Sequence, residues 1–169
     1  LVGGFDSFQN SVAPEIINST IVNNSAATGG GIWAITAGPP VLINTVVAGN
    51  SATSSSPDIH GSVVSRRGNL IGIATSGQGV TNGENNDQVG TSASPLDAQL
   101  GLLQAVGGDN VTLIHLPQAG SPLIDRGVAT GSATVDQIGS VRPQNGDNSG
   151  AALTDIGAIE FNSGTVSGR

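Results

Sequence analysis

The chain has 169 residues, enough for one domain with a core, yet only 37% are hydrophobic and the aromatics number one Trp and three Phe. Twelve acidic residues against five basic ones give a net charge of −7, which disfavours nucleic acid and anionic membrane as partners. Cysteine is absent, excluding disulfides and thiolate metal sites, and no apolar run reaches the roughly 20 residues of a membrane span.

From the N-terminal side, the stretch "IINSTIVNNSAATGGGI" (16–32) is echoed by "LINTVVAGNSATSSSPDI" (42–59). Ile17 aligns with Ile43, Asn18 with Asn44, Ile21 with Val47, Asn24 with Asn50, Ser25 with Ser51 and Ala26 with Ala52, each pair 26 apart. Pro14 and Pro40 keep the same spacing, Ile32 meets Ile59 after 27, and Gly3 to Phe5 precede Gly30 to Ile32 by 27. Asn44 is followed 25 residues later by Asn69. A period near 26 with β-branched clusters and glycine punctuation predicts an all-β chain, a parallel β-helix of about three coils over 1–80. Stacking at 4.8 Å would place Asn18, Asn44 and Asn69 in a self-satisfying amide ladder, with Ile17/Ile43, Ile21/Val47 and Ile32/Ile59 as inward columns. Trp33, next to Ile32, is expected to face outward.

Beyond Gly72 the rhythm stops. Residues 81–161 hold polar, turn-rich stretches and two apolar runs, "VTLIHL" and "TDIGAIEF", and are predicted to form a capping region, because a stacked fold needs its end covered. Residues 162–169 are expected to be a tail preceding an anchor that this sequence does not carry.

Several stretches in this order resemble the choice-of-anchor Q family, secreted bacterial right-handed parallel β-helix proteins. They are "NGENNDQVGT" (82–91), "AQLGLLQAVGGDNVTLIHL" (98–116), "GSPLIDRG" (120–127), "DQIG" with "RP" (136–143) and "DIGAIEF" (155–161). Two positions depart from the family's pattern: Ile138 stands where an arginine is usual and Val106 where an asparagine is usual. The resemblance implies a right-handed helix, export, display on a bacterial cell surface and no general enzymatic activity.

The chemistry-bearing residues admit competing readings. Asp125, Asp136, Asp155 and Glu160 invite a glycosidase pair, but each sits in a glycine-bearing turn motif, where carboxylates accept backbone N–H groups and Arg126 or Arg142 can lock the cap. A lyase would draw on Asp58 and His60, two apart on one strand, and on Arg66 and Arg67 as cations. A solvated strand face is the plainer reading of those four. His115, in an apolar run, reads as a hydrogen-bonded structural histidine. Asn82, Glu84, Asn86 and Asp87 are weak calcium ligands, lacking a full ligand loop, and no other cofactor is expected. The sequence thus favours a non-catalytic scaffold for display, adhesion or filament assembly over a polysaccharide lyase or hydrolase. Expected partners are an extracellular polysaccharide or surface protein and a second copy at an open N-terminal coil.

Overall fold

The computed structural model describes residues 13–34, 38–107, 111–129 and 133–163. The expected pairing of Gly3 to Phe5, the N-terminal coil edge and most of the 162–169 tail lie outside these residues. Short β-branched runs separated by bends form short strands in successive tiers. The first tier holds β1 (Glu15–Ile17), β2 (Thr20–Val22), β3 (Ser25–Thr28) and β4 (Ile32–Trp33). The second holds β5 (Val41–Ile43), β6 (Val46–Ala48), β7 (Ser51–Ser55) and β8 (Ile59–His60). The third holds β9 (Val64–Arg67) and β10 (Leu70–Ile71), and β11 (Gln88–Val89) follows.

All pairing between tiers is parallel, in sheets ordered β1-β5-β9, β2-β6-β10-β11, β3-β7 and β4-β8. Ile17 opposes Ile43, Ile21 opposes Val47 and Ala26 opposes Ala52, the 26-residue offset read from the sequence. Ile32 opposes Ile59 at 27. The offset then shortens: Val46 opposes Leu70 at 24, and Leu70 opposes Gln88 at 18. The parallel ladder therefore runs past the boundary expected at residue 80.

Side chains alternate across each strand. Inward lie Leu42, Val47, Ile59 and Ile71, all at 0% exposure, with Ile32 beside them and Ile16, Ile21 and Val89 at the margin. Each such aliphatic contributes about 1.5–3 kcal/mol by leaving water. Ile17 and Ile43 are not in this core; alternation puts Ile16 and Leu42 inside, and the two isoleucines line an outer cleft with Arg66 and Arg67. Trp33 is 64% exposed, opposite His60.

The expected amide ladder divides into different columns. Asn44 Nδ2 donates to Asn18 Oδ1 at 3.1 Å, but with the offset reduced to 24, Gly68 and not Asn69 follows Asn44. Asn18, Asn44, Gly68 and Asn86 all have positive φ, between 46 and 63°, so this column marks a left-handed bend that asparagine and glycine tolerate. A Cβ on Gly68 would lie 2.6 Å from Asn44 Oδ1. Asn69 instead follows Thr45: its Oδ1 accepts from Thr45 N at 2.9 Å, while its N and Nδ2 donate to Asp87 Oδ1 at 2.9 and 3.1 Å.

A second column repeats this bonding. Asn24 N and Nδ2 donate to Asn50 Oδ1 at 3.0 and 3.1 Å, and Asn50 N and Nδ2 donate to Asp58 Oδ1 at 3.0 and 2.9 Å. Both columns end on an aspartate because a carboxylate only accepts and has nothing to pass on.

The C-terminal part lies along the side of the ladder. Its antiparallel hairpin, β12 (Leu100–Val106) and β13 (Thr112–Pro117), leads into a segment that is mostly irregular. Ala98, Leu123 and Ile156 pack on Val46, Ala48 and Leu70, the outward side chains of the four-stranded sheet. Ala158 N donates to Thr20 Oγ1 in the first tier, Gly157 N to Asn44 O in the second, and Gln88 Nε2 on β11 to Pro122 O. A plug confined to the far end would not reach Thr20. Covering on both faces explains why VVA of β6 and LI of β10 are uniformly buried rather than alternating.

Asn50→Ala removes the acceptor of Asn24 and the donor to Asp58, so we expect a loss of about 3 kcal/mol in urea unfolding, against under about 1 kcal/mol for Asn24→Ala at the exposed end. Equal losses in the two variants would contradict the column.

Candidate functional site

The four residues of the lyase reading do not form one polar face. Asp58 is 1% exposed; its Oδ1 takes Asn50, its Oδ2 takes Ile73 N at 2.7 Å, and burial pushes its carboxyl up against those hydrogen bonds. His60 sits beside exposed Trp33 on the neighbouring strand, and among the described residues no hydrogen bond joins it to Asp58. Arg66 Nη1 pairs with Glu15 Oε1 at 2.7 Å with both side chains substantially exposed, a pairing worth little in water. Arg67 opposes Ile43 on the neighbouring strand of the same sheet.

The calcium candidates also divide. Asn82 Oδ1 accepts from Val89 N at 3.0 Å and Asp87 Oδ1 is occupied by Asn69, while Glu84 and Asn86 lie on an exposed turn. Among the described residues no group of three or more His, Cys, Asp or Glu converges on a point.

The carboxylates of the C-terminal segment do come together, and each ties down backbone. Asp125 accepts from Asp147 N and Leu153 N at 2.9 and 3.2 Å. Asp136 Oδ1 accepts from Ile138 N and Ser140 N, and its Oδ2 from Glu160 N. Asp155 accepts from Asp125 N at 2.7 Å and Phe161 N at 2.5 Å. Glu160 accepts from Gln144 N and Asp155 N. Arg142 completes the cluster: Nη1 lies 3.4 Å from Glu160 Oε2 and bonds Asp155 O, and Nη2 bonds Gly157 O at 2.7 Å. Arg126, by contrast, is exposed.

Burial raises the Asp155 carboxyl to about 7, opposed by its two backbone donors and reinforced by Glu160 and Asp125. Burial likewise raises Glu160, with the N–H groups of Gln144 and Asp155 and the charge of Arg142 opposing. Such a network can hold protons and chain segments. Its oxygens already carry hydrogen bonds from the fold.

Sequence reading missed two features. The Asn24–Asn50 column was visible in the 26-residue spacing; the Asn69–Asp87 step was not, because its offset of 18 lies far from that period. No family model, curated protein or solved structure matches the chain.

The folded chain keeps protons on Asp155 and Glu160 at pH values where the unfolded chain has released them, so stability is present below about pH 4 and lost as pH rises through about 7. We expect the thermal midpoint to fall as pH is raised from about 4.5 to about 8, and Asp155→Asn to flatten that slope. A midpoint that rises over this window would refute the assignment.

Proposed function

We propose that the protein is a non-catalytic extracellular scaffold, a right-handed parallel β-helix of the choice-of-anchor Q kind displayed at a bacterial cell surface. Parallel pairing at offsets of 26 and 27 supports stacked coils over the first part of the chain, and the motifs behind the resemblance supply Asp125, Asp136, Asp155 and Glu160, which brace one another. On this reading the shared C-terminal part is a lateral brace that fixes the coils, and its work is to present the remaining faces to an extracellular polysaccharide, a surface protein or another copy.

The observation that carries the proposal is the commitment of the carboxylates. Asp58, Asp125, Asp136, Asp155 and Glu160 each accept hydrogen bonds from main-chain N–H groups. A general base must reach a substrate proton within about 2.6–3.2 Å, and an oxygen already bonded inside the fold must first give up those partners.

Incubation with alginate, pectate and neutral glycans, followed by ultraviolet absorbance of unsaturated products and by reducing ends, is expected to show no turnover. Product formation that disappears in His60→Ala or Asp58→Asn would establish the lyase or hydrolase reading instead.

A further inference from the structure

Between the first tier and the β12–β13 hairpin lies a cleft of about 390 Å³. A neighbouring cleft of about 330 Å³ shares Val22 and Asn23 with it and continues toward Asp97. Both volumes fall near the lower end of the roughly 300–1,000 Å³ typical of ligand sites.

Three side chains on the wall of the larger cleft turn their donor nitrogen to a protein carbonyl or amide oxygen, and among the described residues nothing donates to their acceptor atom. His115 Nδ1 lies 2.8 Å from Gly101 O; a carbonyl oxygen only accepts, so Nδ1 carries the hydrogen and the neutral ring offers Nε2 as a lone pair. Asn24 Nδ2 donates to Val22 O and to Asn50 Oδ1, both at 3.1 Å, which fixes the amide; among the described residues nothing donates to its Oδ1. Gln137, an exposed side chain, makes a long contact of 3.5 Å from Nε2 to Leu113 O, which turns Oε1 away from that carbonyl. Thr20 adds an oriented donor: its Oγ1 accepts from Ala158 N at 3.0 Å, so its hydroxyl hydrogen points elsewhere.

The rest of the lining decides what such acceptors receive. Val22, Leu103, Leu113 and Ile159 give an apolar wall, and among the described residues no lysine or arginine lines either cleft. An anion would meet lone pairs and a chain of net charge −7. A divalent cation seeks carboxylate oxygens, and among the described residues none lines the larger cleft. A ligand rich in hydroxyl donors with an apolar carbon–hydrogen face satisfies both the acceptors and the wall.

We propose that this cleft is a binding site for a neutral saccharide chain, with His115 Nε2, Asn24 Oδ1 and Gln137 Oε1 accepting from its hydroxyl groups and the Val22–Leu113 wall packing on a ring face. The chain extends past Asn23 into the smaller cleft. The proposal rests on the scaffold reading only in taking the saccharide to be held and not cut.

The test is titration calorimetry of the whole chain with neutral hexasaccharides (mannan, cellulose and maltose series), with hexagalacturonate and with calcium chloride. At least one neutral hexamer is expected to bind, hexagalacturonate at least about tenfold more weakly and calcium alone not at all. Gln137→Leu, on an exposed side chain, and His115→Phe, which keeps a ring without the acceptor, are each expected to weaken binding about tenfold, the equivalent of one net hydrogen bond. Their urea midpoints serve as the check on folding, and Gln137→Leu alone suffices if His115→Phe unfolds. Absence of neutral-hexamer binding at about 10 mM, binding indifferent to Gln137→Leu, equal affinity for hexagalacturonate, or heat from calcium alone would each overturn the site. Reducing ends measured in the same mixtures separate the two readings: cleavage refutes the scaffold, whereas loss of binding without cleavage refutes only this cleft.

Discussion

In two columns of bends a backbone N–H is left without a strand partner, and the fold supplies a side-chain oxygen stacked next to it. Thr45 N finds Asn69 Oδ1 and Asn69 N finds Asp87 Oδ1; Asn24 N finds Asn50 Oδ1 and Asn50 N finds Asp58 Oδ1. Leaving any such buried donor unpaired would cost about 1–3 kcal/mol. Because an amide both accepts and donates, the arrangement propagates from tier to tier and fixes register. Aspartate closes it. The same burial that protects these bonds raises the carboxyls of Asp58 and Asp87, so register and protonation are linked.

The second constraint is lateral. A sheet whose strands carry apolar side chains on both faces must be covered on both, and the inner cluster around Leu42 and Val47 accounts for only one. Leu123, Ile156 and Ala98 account for the other. What holds that covering segment in shape is polar: Asp125, Asp136, Asp155, Glu160 and Arg142 replace the strand pairing that its turn-rich sequence cannot make. Asn44 joins the two systems, since its Oδ1 accepts from Val128 N at 2.9 Å and its Nδ2 donates to Val128 O at 2.7 Å.

The repeat made much of the first two tiers legible. The 26-residue spacing gave correct partners for Ile21, Ala26 and Asn18 because equal chain lengths between bends are what parallel stacking requires. It misplaced Asn69 because the step from Ile59 to Val64 is shorter than the step from Ile32 to Val41, and the bulge on β9 opposite Leu42 and Ile43 makes up only one residue, so the offset there is 24; one residue of slip exchanges an outward bend position for an inward one. Ile17 and Ile43 were misread for a related reason: spacing identifies partners, whereas only strand phase decides the face. The position of the C-terminal segment was not legible. Its contacts to Thr20 and Asn44 span 138 and 113 residues, and nothing periodic announces them. The commitment of its aspartates to backbone N–H groups was readable from their turn motifs, but the way Asp155 and Glu160 meet was not.

Amide hydrogen exchange read residue by residue tests the stacked-oxygen account most directly. The backbone N–H groups of Thr45, Asn50 and Asn69 lie at bends, where exchange is ordinarily fast, yet here they are buried donors between tiers. The account predicts protection equal to that of the strand amides of Val46 and Leu70, lost only with global unfolding. Exchange of these three at the rate of exposed turn amides, while Val46 and Leu70 stay protected, would contradict it.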